Sequence, residues 1–107
     1  MITLLAEFSV KPGQADRALA LVNAVAADAQ ANQPGTLLYY AHRVLNGAGQ
    51  PTSRLAFHEC YADQAALQAH LASPSWQALV AVWSECFEGI PADVAVTSLD
   101  RLAGFTR

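Results

Sequence analysis

Apolar and polar residues alternate over positions 2–10, and this period of two predicts a β-strand with one face towards a core. Pro12 and Gly13 end the strand, because proline donates no hydrogen bond to a sheet and glycine permits a sharp turn. Over positions 14–31 the apolar residues recur at intervals of three and four, which predicts an amphipathic helix. The first third of the chain is therefore expected to form a strand followed by a helix.

Two further strands are predicted beyond the helix-breaking pair Pro34-Gly35. Residues 36–45 and residues 52–61 are rich in branched and aromatic side chains, the types that favour strands. The polar, glycine-containing segment between them predicts an antiparallel hairpin with a long loop. Both faces of the first of these strands are apolar, which is not typical of a sheet with one face in water.

Two capping signals mark the helices that follow. Asp63 precedes the predicted helix 64–72, and its carboxylate can accept hydrogen bonds from the free N–H groups of the first turn. Ser73 has the same role before the predicted helix 74–88, where a proline suits the first position because its φ angle is already helical. Alternation resumes over residues 92–99 and predicts a last strand.

The predicted order is strand, helix, strand, strand, helix pair, strand. This βαββαβ order indicates an α+β fold of the ferredoxin-like type, in which the helices cover one face of a four-stranded antiparallel sheet. The uncovered face would hold Leu5 and Leu38, and it is too apolar to remain in water. We therefore predict a single domain over residues 1–107, with a tail over 100–107, that pairs as a homodimer into a dimeric α/β barrel.

The composition supports this interpretation and argues against several classes of partner. Of the 107 residues, 53% are hydrophobic and 14% are charged, against a usual charged share of about 25%, so a second buried face is expected. A net charge of −3 without a basic cluster argues against nucleic acid. No apolar run reaches the roughly 18 residues of a membrane span. Cys60 and Cys86 lack metal-site spacing and no export signal precedes them, which predicts no metal and reduced thiols in the cytoplasm.

Several short motifs, in their order and spacing, resemble the antibiotic biosynthesis monooxygenase (ABM) domain family over nearly the whole chain. These motifs are Ala6-Glu7-Phe8, Pro12-Gly13, Pro34-Gly35, Glu59-Cys60-Tyr61 and the run from Ala66 to Pro74. The resemblance implies a small homodimeric α/β barrel. Several members oxidise phenols or quinols to quinones with molecular oxygen and without metal or flavin, so the resemblance implies no cofactor.

Three functions follow from the resemblance and the composition. The first is a cofactor-independent monooxygenase that oxidises a small aromatic phenol or quinol to a quinone with O2. The alternative is a non-catalytic or isomerase-like dimeric barrel that binds a small apolar metabolite. A third is a domain whose only role is dimerisation, because one fold hosts many functions.

The sequence departs from its active relatives at several polar positions. Phe57 stands where quinone-forming members have asparagine, and Leu67 stands where they have tyrosine. Haem-degrading relatives require an asparagine at the position of Phe8 and an iron-binding histidine at the position of Val80. Haem degradation is therefore disfavoured, and the alternative of ligand binding without turnover accounts for the lost polar contacts.

The candidate catalytic residues are His70, Glu59 and Tyr61. A neutral His70 on the inward face of its helix could take a proton from a phenol, because the pKa of histidine lies near neutral pH. Glu59, between Phe57 and Tyr61 on its strand face, could act as a base with a raised pKa. Tyr61 could donate a hydrogen bond to the developing oxyanion. Purely structural roles, such as a buried histidine bonded to backbone or to Glu59, are the competing interpretation.

An apolar pocket between the helices and the sheet is predicted to hold the substrate. The two tryptophans, Trp76 and Trp83, are seven positions apart on one face of the predicted helix 74–88, and such a pair more commonly belongs to a core than to a pocket. A tyrosine pair in the second strand must point to opposite faces, so only one of them can line a given pocket. The candidate substrate-binding residues are Phe8, Tyr40, Phe57, Leu67, Trp76 and Trp83.

Overall fold

The computed structural model describes all 107 residues and contains four strands and four helices. The strands are β1 (Ile2–Ser9), β2 (Thr36–Leu45), β3 (Pro51–Tyr61) and β4 (Ala95–Leu99). The helices are α1 (Ala15–Asn32), α2 (Gln64–Leu71), α3 (Pro74–Ala81) and α4 (Trp83–Cys86). A 3₁₀ turn, Pro91–Asp93, precedes β4.

The strands form one antiparallel sheet in the order β2-β3-β1-β4. This order places β3 beside β1 at the centre of the sheet and β2 and β4 at its two edges, which is the arrangement of a ferredoxin-like α+β fold. The predicted fold class is therefore confirmed. None of the helices has the length and apolar content needed to cross a membrane.

The core lies between the helices and one face of the sheet. Its largest fully buried side chains include Tyr61, Phe57, Phe87 and Leu79. The ring of Phe8 stacks on Phe57 at 5.0 Å between centroids and meets Phe87 edge-on at 5.1 Å. Each buried aromatic of this kind contributes on the order of 1.5–3 kcal/mol through area removed from water, so this cluster fixes the packing of the helices on the sheet.

The predicted helix 74–88 is wrong in its second half. The backbone leaves the helical region at Val82, with φ −110° and ψ 17°, and the chain continues as the four-residue α4. Phe87 then adopts an extended conformation and forms a β-bridge with Val10. The helix stops because the backbone of this segment bonds to β1 and its turn, with Lys11 N–H donating to Cys86 O at 2.8 Å.

The last strand is shorter than predicted. The 3₁₀ turn occupies the first residues of the predicted strand 92–99, because Oδ2 of Asp93 accepts a hydrogen bond from the Ile90 N–H at 3.0 Å. After this turn the chain enters β4 at the edge of the sheet. As a result, Val94 and Val96 reach the candidate pocket described below.

The opposite face of the sheet carries no helix. Leu5 and Tyr40 both pair with His58 in the strand register, and all three side chains point to this face. Tyr40 is 61% exposed, and Leu99 on the edge strand is 43% exposed. The face is therefore apolar and open, as the sequence pattern predicted.

Candidate active site

A cavity of about 270 Å³ lies between the sheet and helices α2 and α3. Its polar lining consists of Tyr39, Glu59 and His70, and the rest of its wall is mostly aliphatic and aromatic. This size lies just below the range of about 300–1,000 Å³ that is usual for small-molecule pockets. The cavity is therefore suited to a compact ligand with one or two rings.

Glu59 presents a buried carboxylate to this cavity from the end of β3. Glu59 pairs in the strand register with Leu4 of β1 on one side and with Tyr39 of β2 on the other. The residue is 8% exposed. The hydroxyl of Tyr61 donates a hydrogen bond to Oε1 of Glu59, and Oε2 has no partner in the protein. Burial raises the pKa of Glu59, and the bond from Tyr61 opposes that rise. The carboxyl group thus holds a proton more readily than an exposed glutamate does.

His70 reaches the cavity from the last turn of α2. Oδ1 of Asp63 caps the start of this helix by accepting from the Ala66 N–H at 2.8 Å. Oγ of Ser73 fixes the helix end by donating to the carbonyl of His70 at 2.7 Å. The imidazole is 2% exposed, and this burial lowers the pKa of His70, although Asp28 opposes the effect. His70 is therefore neutral near pH 7.

The two ring nitrogens of His70 have different surroundings. Nδ1 lies 2.8 Å from Oε1 of Gln33, the residue that follows α1. Nε2 has no partner in the protein and reaches the open space of the cavity. Ring centroids of Tyr39, Tyr61 and Trp76 lie 5.2, 5.5 and 6.0 Å from that of His70. These aromatic neighbours hold the imidazole in one orientation.

Six of the nine predicted site residues line one cavity. They are Phe8, Phe57, Glu59, Leu67, His70 and Trp76. Tyr61 is fully buried and does not line the cavity, and its hydroxyl contacts the carboxylate of Glu59. The phenylalanine and leucine that replace polar residues of active relatives form part of the apolar wall.

Two predicted substrate-binding residues lie outside this cavity. Tyr40 lies on the opposite face of the sheet, and Tyr39 lines the cavity instead, because adjacent residues of a strand point to opposite faces. Trp83 belongs to the core and not to the pocket: it is 3% exposed, packs 4.8 Å from the Phe8 ring, and donates from Nε1 to the carbonyl of Glu88 at 3.2 Å. The helix is interrupted at Val82, and Trp83 beyond this interruption does not line the cavity.

Two polar residues at the cavity, Tyr39 and Gln33, were not among the predicted site residues, and neither were several aliphatic lining residues such as Val96. Tyr39 could have been identified only if it were known which face of β2 packs against the helices. Gln33 contacts His70 across 37 positions of sequence and sits in an ordinary helix-ending segment, so no local signal marks it.

A larger groove of about 570 Å³ lies at the other end of the molecule, between α1 and the β2–β3 hairpin. Its charged lining residues are Lys11, Arg43 and Glu88, and none of these side chains is buried. The smaller cavity is the better candidate, because it alone of the two contains buried titratable groups whose pKa values are displaced. No three His, Cys, Asp or Glu side chains come together in a way that could hold a metal ion.

Comparison with known proteins agrees with this fold. A family model described as antibiotic biosynthesis monooxygenase matches residues 1–82. The chain therefore belongs to the antibiotic biosynthesis monooxygenase family, as its motifs indicated. A search of curated proteins gave no match.

Solved structures of similar proteins share the whole fold. PA3566 from Pseudomonas aeruginosa is 24% identical with a TM-score of 0.78, covering 95% of this chain and 94% of that protein. Rv0793 from Mycobacterium tuberculosis is 25% identical with a TM-score of 0.76, covering 98% of both chains. A candidate antibiotic biosynthesis monooxygenase from Caulobacter crescentus CB15 is 25% identical with a TM-score of 0.78, covering 95% and 90%.

Proposed function

We propose that this protein is a cofactor-independent monooxygenase that oxidises a small phenol or quinol to a quinone with molecular oxygen. The observation that carries the proposal is the pair of buried titratable groups, Glu59 and His70, in a mainly apolar cavity. The cavity, of about 270 Å³, is large enough for a compact aromatic ligand. Overall, a phenol and O2 give a quinone and water, so no reductant is required. The protein has to supply a base, a place for the ring and a donor for the phenolate oxygen.

His70 is the proposed base for the phenolic proton. Its Nε2 is free and faces the cavity, and its lowered pKa keeps it unprotonated near neutral pH. The resulting phenolate is electron-rich and transfers one electron to O2, and the two radicals then combine at a ring carbon. The imidazolium of His70 returns its proton to the new peroxide. A general base of this kind contributes about 10²–10⁴-fold to the rate.

Glu59 is the proposed acceptor for the second proton, which leaves the ring carbon that carries the hydroperoxide. Loss of that proton forms the second carbonyl of the quinone and breaks the O–O bond. The departing hydroxide takes the proton from Glu59 and leaves as water. The raised pKa of Glu59 suits it to this exchange, because its carboxylate takes up a proton more readily than an exposed glutamate does.

Tyr39 is the proposed donor to the phenolate oxygen. Its side chain lines the cavity and its hydroxyl has no partner in the protein. Burial raises the pKa of Tyr39 far above its ordinary value, so the hydroxyl stays protonated and can donate. Phe57 and Trp76 supply flat apolar surfaces on which an aromatic ring can stack.

We also propose that the protein is a homodimer in which the open sheet faces pack together as a dimeric α/β barrel. This face includes Leu5, Tyr40 and Leu99, which no helix covers. Burial of such a face is the usual way to remove a large apolar patch from water. The catalytic cavity lies on the other side of the sheet and remains open to substrate.

A second candidate function is the binding of a small apolar metabolite without oxidation. The mainly hydrophobic lining of the cavity supports it, because few polar groups are available to orient a substrate. The two functions differ in one measurable respect. A binding protein would take up the aromatic compound without consuming oxygen.

Oxygen uptake with a panel of hydroquinones and naphthols tests the proposal. The purified protein, treated with a chelator, is compared with H70Q and with the control H42Q, which changes an exposed histidine on the opposite sheet face. We expect H70Q to lower kcat/KM by about 10²-fold or more, and H42Q to leave it unchanged. Saturable binding of these compounds without any oxygen uptake would favour the second candidate function.

A further inference from the structure

The bond between Gln33 and His70 is not used by the reaction proposed above, although both side chains are buried. Gln33 is 8% exposed and follows the last residue of α1. Its Oε1 lies 2.8 Å from Nδ1 of His70 and accepts a hydrogen bond from the hydroxyl of Thr36 at 3.3 Å. Its Nε2 is buried without any partner.

We infer that Gln33 is a positioning residue that holds His70 in the tautomer protonated on Nδ1, leaving Nε2 free to accept the substrate's proton. This inference rests on the proposed function for its catalytic meaning. The geometric part stands on the 2.8 Å contact in which Oε1, and not Nε2, of Gln33 faces Nδ1, because an amide oxygen accepts only from a protonated ring nitrogen.

The orientation of the Gln33 amide decides which tautomer is held. With Oε1 towards His70, Nδ1 must carry the proton and Nε2 is an acceptor in the cavity. With the amide reversed, Nε2 of Gln33 would donate to a bare Nδ1, and the cavity would face an Nε2–H donor that cannot act as a base. The hydroxyl of Thr36 can serve either orientation, so it does not decide between them.

The imidazolium that forms during the reaction gives a further reason for the orientation with Oε1 towards His70. Both nitrogens of an imidazolium are donors, and only an amide oxygen at Nδ1 can accept from it. The same contact therefore serves His70 before and after proton transfer without reorganisation. This orientation leaves Nε2 of Gln33 buried without a partner, whereas the reversed amide would leave Oε1 without one.

An amide also suits this position better than a carboxylate. The groups that face the imidazole from the surrounding elements include Asp28 from α1, Tyr39 from β2, Glu59 and Tyr61 from β3, and the non-titrating Trp76 from α3. A second carboxylate directly on Nδ1 would add to the effect of Asp28 and favour the charged ring. The neutral oxygen of Gln33 orients His70 while leaving it unprotonated at rest.

Nitrogen-15 NMR of the imidazole tests the inference without any activity measurement. In the unaltered protein above the pKa of His70, we expect Nδ1 to be the protonated nitrogen and Nε2 the bare one. In Q33L, which keeps the side-chain size, the preference should be lost or reversed. The control T36V should leave it unchanged, because it removes only the other donor to Oε1. An Nε2–H tautomer in the unaltered protein would overturn the inference. This result is obtained from the unaltered protein alone, so it does not depend on whether the variants fold.

The pH dependence provides the second readout. Q33E places a carboxylate on Nδ1 and should raise the pKa of His70 by about one to three units, with the acid limb of the activity profile moving by the same amount. Q33L should lower kcat/KM by about tenfold or more. A His70 titration that is identical in all three proteins would contradict the inference. The expected tautomer without any oxygen uptake would support the positioning role and count against the proposed reaction.

Discussion

Gly35 and Ala66 meet where the start of β2 touches α2, and their contact sets the position of the helix that carries His70. A Cβ atom added to Gly35 would lie 2.5 Å from Cβ of Ala66, whereas ordinary contacts begin at 3.4 Å. Gly35 does not have a positive φ angle, so its backbone accepts alanine without strain. The close approach alone therefore decides the effect of the substitution G35A.

The expected magnitude follows from that overlap of nearly one ångström. Overpacking of this kind costs about 1–3 kcal/mol, and the reduced entropy of the unfolded chain offsets about 0.4–1 kcal/mol. G35A should thus lower the free energy of unfolding by about 1–2 kcal/mol. A66G removes the opposing Cβ and costs about 0.5–1 kcal/mol as a glycine in a helix. In the double variant the added Cβ would face only Cα of residue 66, at 3.5 Å, which is an ordinary contact.

Urea denaturation followed by the fluorescence of Trp76 and Trp83 measures the effect, with an unchanged m-value confirming that only stability has altered. The double variant G35A/A66G should recover to within about 0.5 kcal/mol of the unaltered protein, so the two changes are strongly non-additive. G47A is the matched control, because a Cβ on Gly47 meets nothing within 4 Å. A stable G35A, or additive losses in the double variant, would refute the packing of α2 described here.

Two further outcomes follow from the site and the open face. Burial raises the pKa of Glu59, so its contribution to stability is present below the unfolded pKa near 4.5 and is lost as pH rises through the folded value. E59Q should therefore become more stable relative to the unaltered protein as the pH is raised from 4 to 8. Urea midpoints of the two proteins at each pH measure this. A stability difference between them that does not change with pH would contradict the burial of a charge at Glu59. Y40E places a charge on the open sheet face and should give a monomer in sedimentation velocity at micromolar concentration, where the unaltered protein is expected to be a dimer; a dimer in both would exclude this face as the interface.

Most of the fold could be predicted from the sequence because its signals are local. The alternation in β1, the three-to-four spacing of α1 and the caps Asp63 and Ser73 each depend on residues within one turn or one strand. The break after α3 could not be predicted, because no proline or glycine marks Val82. It depends on the bridge between Phe87 and Val10, which lie 77 positions apart in sequence.

The candidate site was predictable in part for a similar reason. Glu59 and His70 stand out as polar residues on apolar faces, and Phe57 precedes Glu59 on the same face of its strand. The choice between Tyr39 and Tyr40 could not be made, because both faces of β2 are apolar and the pattern has no preferred register. Gln33 gives no signal at all, since its role comes only from a contact made in the folded chain.

The central claim is that oxidation occurs inside the cavity that holds Glu59 and His70. Val96 lines this cavity from the edge strand and is 58% exposed, so V96F fills the cavity mouth with little effect on folding. L102F is the control, because Leu102 is 91% exposed and does not line the cavity. Oxygen uptake with the best hydroquinone of the panel is the decisive measurement. We expect V96F to lose most of its kcat/KM and L102F to retain it, whereas full activity in V96F would place the chemistry elsewhere.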